Sequence, residues 1–175
     1  VGLQGSAERE LGDGGRRFRA VDSGLSAGRA FGAMLDAYRD LIDELLGTPS
    51  EIRGLIEVGE HEPPPEARRL IAELRARDRA MLERAQAITR GDNVYLRPLR
   101  LEPALGGEEM SALMEGFDLA RGDLVALLIN LSLKDWERQA IHETAGEVTL
   151  ADEIEEHVDF YEGHRRQITE LLSRP

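Results

Sequence analysis

The chain has 175 residues, room for one core of ordinary size and not for several. Helix-forming Ala, Leu, Glu and Arg dominate it, and aromatic residues make up only 5%, too few for the strand faces of a sandwich or barrel. A formal charge of −12 opposes the positive field that a sequence-independent nucleic-acid binder or an anionic-lipid binder needs, and the lack of cysteine excludes disulfides, thiolate metal sites and a cysteine nucleophile.

Residues 1–22 are rich in Gly, Arg and Glu, as in Gly12-Asp13-Gly14-Gly15-Arg16-Arg17, and carry no apolar h-region. They read as a flexible arm ahead of a single domain over residues 23–175. No apolar run reaches the ~20 residues needed to cross a bilayer. The expectation is a cytoplasmic protein that takes neither membrane nor nucleic acid as partner.

Four segments show helical periodicity. The first is predicted from Ser26 to Leu46, with Phe31, Leu35, Tyr38, Ile42 and Leu45 on one stripe and Gly47 and Pro49 ending it. The second runs from Pro65 to Thr89 on Ala67, Ile71, Leu74, Met81, Ala85 and Ile88, preceded by prolines that suit a first turn without amide donors. The third, Glu108 to Leu131, presents Met110, Leu113, Phe117, Leu124, Leu127 and Leu131. The fourth, Thr149 to Leu172, presents Leu150, Ile154, Val158, Ile168 and Leu171, with Thr149 or Asp152 as cap.

The connections 47–64, 90–107 and 132–148 exceed the about 2–8 residues of a bundle hairpin, so crossovers are allowed. Leu133 to His142 is expected to form a short extra helix carrying Trp136. Val94 to Leu101 alternates like an extended segment packed over the bundle. The fold class is all-α, a four-helix bundle with long connections.

Polar residues on the apolar stripes carry the functional interest. Steps of three and four along the fourth helix give Ile154, His157, Tyr161, His164 and Ile168, and the same walk on the second gives Leu74, Asp78 and Met81. An inward carboxylate is costly unless paired, so Asp78 is expected to meet an imidazole or hydroxyl of the fourth helix. That contact either fixes helix register or forms a metal or acid–base site. His142 is either a cap for its linker or a substrate contact at the mouth of a cleft, and His61 lies in a solvated linker. The chain holds no Gly-x-Gly-x-x-Gly after a strand, Gly-Lys-Ser/Thr loop or His-Glu-x-x-His.

From Trp136 onward the sequence resembles the DinB-like family: Trp136-Glu137-Arg138, His142, Gly146, Thr149-Leu150, then Glu155-Glu156-His157 and His164-Arg165-Arg166-Gln167-Ile168. Ile71-Ala72-Glu73-Leu74 with Asp78-Arg79 matches the family's second helix. The resemblance implies a bundle of up-down-down-up order, commonly dimeric. It also implies a nickel or zinc ion held by one histidine of the second helix and two histidines four apart on the fourth, serving thiol-dependent transferases or hydrolases. Here only His164 of that triad is retained. Glu73 takes the second-helix position and Phe160 stands where the other histidine belongs.

Glutamate can ligate a divalent ion and phenylalanine cannot, and Tyr161 is a poor substitute with a phenol pKa near about 10. His157 precedes His164 by two helical turns, roughly 10.5 Å, too far to share one ion. No resident metal is therefore expected. The leading expectation is a small-ligand-binding or accessory bundle, its cleft between the second and fourth helices holding Glu73, Asp78, His157, Tyr161 and His164. The alternative is a divalent-metal-dependent, thiol-dependent transferase or hydrolase with a shifted nickel or zinc site at His164 and Glu73 or Asp78. A structural homodimer module is the second alternative.

Overall fold

A computed structural model describes residues 17–59, 62–101, 103 and 107–173. His61 and the first part of the expected arm lie outside the described residues. The chain divides into two compact units, residues 1–36 and 37–175. In order the elements are α1 (Arg17–Val58), α2 (Pro65–Arg90), β1 (Val94–Leu96), α3 (Met110–Leu128), α4 (Leu133–Trp136), β2 (Gln139–His142), β3 (Gly146–Thr149) and α5 (Leu150–Leu172). The first unit contributes the opening of α1, and the second holds the rest.

Local chemistry explains most boundaries. Pro64, in an extended conformation, precedes α2, and Pro65 opens its first turn. At the other end Gly91 donates to the Ala87 carbonyl. A Cβ on Gly91 would stand 2.6 Å from Val94 Cγ2, so the turn from α2 into β1 needs glycine there. Asn93 supplies the left-handed residue, at φ 48°. Thr149 caps α5 by a reciprocal box: Asp152 N donates to Thr149 Oγ1 at 3.2 Å, and Thr149 N donates to the Asp152 carboxylate at 2.7 Å. Ser132 and Asp135 repeat the box at α4.

Three expectations need correction. Pro49 does not end the first helix but lies inside α1, which continues to Val58. Proline has no N–H, so the Leu45 carbonyl four residues earlier loses its helical donor. Arg121 of α3 replaces it, its Nη1 donating to the Leu45 oxygen at 2.7 Å. The connection from α1 to α2 is thereby far shorter than expected, residues 59–64 only. The segment read as a helix through His142 stays helical only to Trp136, because Gln139–His142 pairs on both sides. It lies parallel to β1 and antiparallel to β3, giving a three-stranded sheet of order β1-β2-β3 beside the helices.

Side-chain pairings set the helix directions. Arg68 and Arg75 reach Glu108 at the head of α3, and Asp78 further along α2 meets Arg121, so α2 and α3 run parallel. Helix α5 runs against α2, with Arg84 at Glu153, Asp78 at His157 and Glu73 at His164. Helix α1 runs against α3, with Leu45 at Arg121 and Arg53 at Asp118. The order is up-down-down-up.

Two apolar clusters fill the interior. One gathers Leu45, Met81, Ile88, Leu124, Trp136, Leu150 and Ile154, with Tyr38 stacked on Trp136 at 4.6 Å. The other gathers Ile52, Ile71, Leu74, Phe117, Tyr161 and Ile168. On each helix the residues between the clusters are polar: Thr48, Asp78, Arg121 and His157, all buried. A polar layer thus divides the core. Among the described residues no helix is long and apolar enough to cross a membrane.

Candidate functional site

Asp78 organises the polar layer. Both Asp78 and His157 are fully buried. Arg121 donates to the two carboxylate oxygens through Nε and Nη2, each at 3.0 Å, a paired geometry suited to a guanidinium. His157 Nε2 donates to Asp78 Oδ1 at 3.0 Å, and its Nδ1 accepts from Arg77 Nε at 3.4 Å. This is the arrangement of a neutral ring with its proton on Nε2. Burial pushes the His157 imidazole below its ordinary value; the Asp78 hydrogen bond and charge oppose it, and the charges of Arg121 and Arg77 reinforce it. The Tyr161 ring lies 4.2 Å from the Arg121 guanidinium.

A second pair occupies the other end of the α2–α5 seam. His164 Nε2 lies 3.0 Å from Glu73 Oε2, and Nδ1 lies 3.1 Å from the Phe160 carbonyl. Both partners are acceptors, so both bonds are complete only when the ring carries two protons. Glu73 also accepts from Arg69. Phe160 stacks on the His164 ring at 4.0 Å, and the Arg77 guanidinium sits 4.1 Å from the Phe160 centroid. These residues do not fit a divalent ion. Phe160 has no donor atom, the His164 nitrogens are taken up by Glu73 and a carbonyl, and two guanidiniums stand where positive charge would have to enter. Among the described residues no three His, Asp or Glu side chains gather as a metal-ion group.

A cavity of about 400 Å³ opens on a different part of α2 and α5. Arg77 and Arg84 of α2, Leu99, His142 at the end of β2, and Glu153 and Glu156 of α5 line it. Arg84 donates to Glu153 and to the Arg97 carbonyl. His142 Nδ1 accepts from the amides of Thr144 and Ala145, both at 3.3 Å, which ties down the β2–β3 turn and leaves the opposite edge of the ring free to donate. Arg77 is 6% exposed, and its Nη2 makes no hydrogen bond. Glu156 Oε1 stands 3.0 Å from that nitrogen, an ion pair without hydrogen-bond alignment on a largely exposed side chain.

The residues expected in one cleft therefore fall into several places. Asp78 and His157 are sealed in the polar layer, Glu73 and His164 form the stacked pair with Phe160, His142 lines the cavity, and Tyr161 turns toward α1.

No protein-family model matches the chain, and no curated protein matches it. A solved structure does: YfiT from Bacillus subtilis, described as a probable metal-dependent hydrolase with an unusual four-helix bundle topology. The two share 18% identity at a TM-score of 0.62, over 78% of this chain and 86% of that one. The fold is that of the YfiT four-helix bundle. At this identity the likeness is one of fold.

Within that bundle the sequence reading missed three arginines. Arg121 sits four residues after Phe117 and three before Leu124, on the same stripe, and Arg77 and Arg84 flank Met81 in the same way. The signal was there: a cation on an apolar stripe calls for a buried anion as surely as Asp78 calls for a partner.

Proposed function

We propose that the protein is a DinB-like bundle that binds a small molecule, and that its ligand enters the cavity between α2, α5 and the β2–β3 turn with an acidic group on Arg77. The observation that carries this reading is the buried, cavity-lining Arg77, whose Nη2 makes no hydrogen bond and has only the largely exposed Glu156 as an ion-pair partner. A buried guanidinium nitrogen without a hydrogen bond is costly, an ion pair out of alignment offsets that only in part, and a ligand carboxylate or phosphate oxygen would complete it. The position of the group is already set, because Arg77 Nε is held by His157 and its plane by Phe160. Glu156 offers an acceptor nearby for a donor on the same ligand. Arg84 and Glu153 neutralise one another and shape the wall.

The test is a titration of the labelled protein with acetate, malate and glutamate at constant ionic strength, followed by amide chemical shifts. Saturable shifts in residues 142–145 and 152–156, lost in Arg77→Gln, are expected; no saturable shift with any of the three would overturn the reading. Thermal unfolding of metal-stripped protein with Ni²⁺ or Zn²⁺ separates it from a metal-dependent hydrolase or transferase. A saturable rise in midpoint that disappears in His164→Ala would favour the metal reading, because an ion that binds only the folded form stabilises it.

A further inference from the structure

We propose that the seam between α1 and α5 holds a second site, for an aliphatic primary ammonium group, formed by Tyr161 Oη and the carboxylates of Glu44, Glu51 and Glu162. It is independent of the α2–α5 cavity and uses none of its residues.

A cavity of about 150 Å³ lies at this seam, lined by Glu44, Thr48 and Glu51 from α1 and by Tyr161, Glu162 and Arg165 from α5. Tyr161 is 2% exposed, and its hydroxyl is buried without a hydrogen bond. Thr48 stands beside it, its hydroxyl donating to the Glu44 carbonyl at 2.9 Å and not in hydrogen-bond geometry with the phenol. The phenol cannot turn away to find another partner, because its ring is packed on Arg121 and on Phe117. An orphaned hydroxyl in a polar cavity marks a missing partner.

The charges say what that partner is. With Asp43, four carboxylates line the cavity against one guanidinium. Arg165 is shared between Glu51 at 3.1 Å and Glu162 at 3.6 Å. Glu44 faces Glu162 directly: burial first, then the hydrogen bond and charge of Glu162, push its carboxyl up, with Arg165 opposing. The cavity therefore lacks positive charge and one hydrogen-bond partner at the same place.

A bare metal ion is the wrong shape for this deficit. Among the described residues no three carboxylates or imidazoles gather closely enough to share one. A primary ammonium carries its own three N–H donors, which reach acceptors spread about 2.7–3.2 Å from the nitrogen. One would complete the phenol oxygen and two would meet carboxylates, while a short alkyl chain leaves by the open side.

The experiment titrates n-butylammonium chloride into the full chain at constant ionic strength, with tetramethylammonium, which has no N–H, as the comparison. Saturable amide shifts are expected at residues 47–51 and 161–165 with n-butylammonium only. Binding is expected to be roughly tenfold weaker in Tyr161→Phe, which removes one unpartnered atom and leaves the packing alone. The exposed-side variant Glu162→Gln should weaken it as well. Equal shifts with tetramethylammonium, or a Tyr161→Phe affinity equal to wild type, overturns the proposal. Tighter binding of 1,4-diaminobutane than of Nα-acetyl-lysine methylamide assigns the site to a free amine, and the reverse order assigns it to a lysine side chain.

Discussion

Two histidine–carboxylate pairs join α2 to α5, Asp78 with His157 and Glu73 with His164, each with a 3.0 Å contact. The first pair is fully buried, and Arg121 and Arg77 take up the remaining carboxylate and imidazole valences. The second keeps 13% and 19% side-chain exposure, leans on Phe160, and shares its carboxylate with a surface arginine. Chemistry is the same in both, and surroundings decide the role. Where both carboxylate oxygens and both ring nitrogens have partners inside a buried layer, the pair holds helices in register. At the rim, the same two groups remain within reach of solvent.

The sharpest way to break this contrast is to remove the cation of the buried layer. Arg121→Met leaves Asp78 charged and unpaired and also strips the Leu45 carbonyl of the donor that stands in for Pro49. A loss of about 3–5 kcal/mol is expected in urea unfolding, the usual consequence of breaking a buried pair from one side. A loss near zero would mean that α1 tolerates Pro49 without Arg121 and that the layer is not a lock.

A smaller effect comes from pH. The folded His157 imidazole lies below its ordinary value because it is buried, so on acidification the unfolded chain takes up a proton before the folded one does. Stability therefore falls as pH drops from about 6.5 toward the folded value, with a slope of at most about 1.4 kcal/mol per pH unit for this one group. His157→Gln should flatten that part of the profile although it lowers stability throughout. An unchanged slope in the variant would place the proton uptake elsewhere.

These two predictions rest on residues of unequal visibility in the sequence. Asp78 and His157 stand out because a three–four walk along each stripe lands on them. The start of α2 at its proline run and the cap of α5 at Thr149 are visible for similar reasons, since both are local chemistry. Pro49 misleads because its compensation comes from a side chain 72 positions away, Arg121, which no local pattern reports. The extended alternation from Val94 does hold β1, but β2 and β3 escape because strands of four residues carry little period. Arg77 is hidden differently: its spacing from Met81 puts it on the stripe, but arginine on a helix is usually read as surface, and its burial against Phe160 and His157 is a matter of tertiary packing.

The rim pair gives the smallest effect and the finest test of the contrast. Glu73→Gln removes the charge that Arg69 and His164 share but keeps the shape and one acceptor oxygen. With both partners within reach of solvent, a loss of no more than about 1 kcal/mol is expected, and added salt should shrink it, because water and ions screen what the carboxylate supplied. In Arg121→Met the loss should persist in salt, since no ion enters a layer whose charged pair is 0–2% exposed. If Glu73→Gln instead costs as much as Arg121→Met and ignores salt, the Phe160 stack seals the rim as tightly as the core, and the two pairs form one continuous lock along the α2–α5 seam.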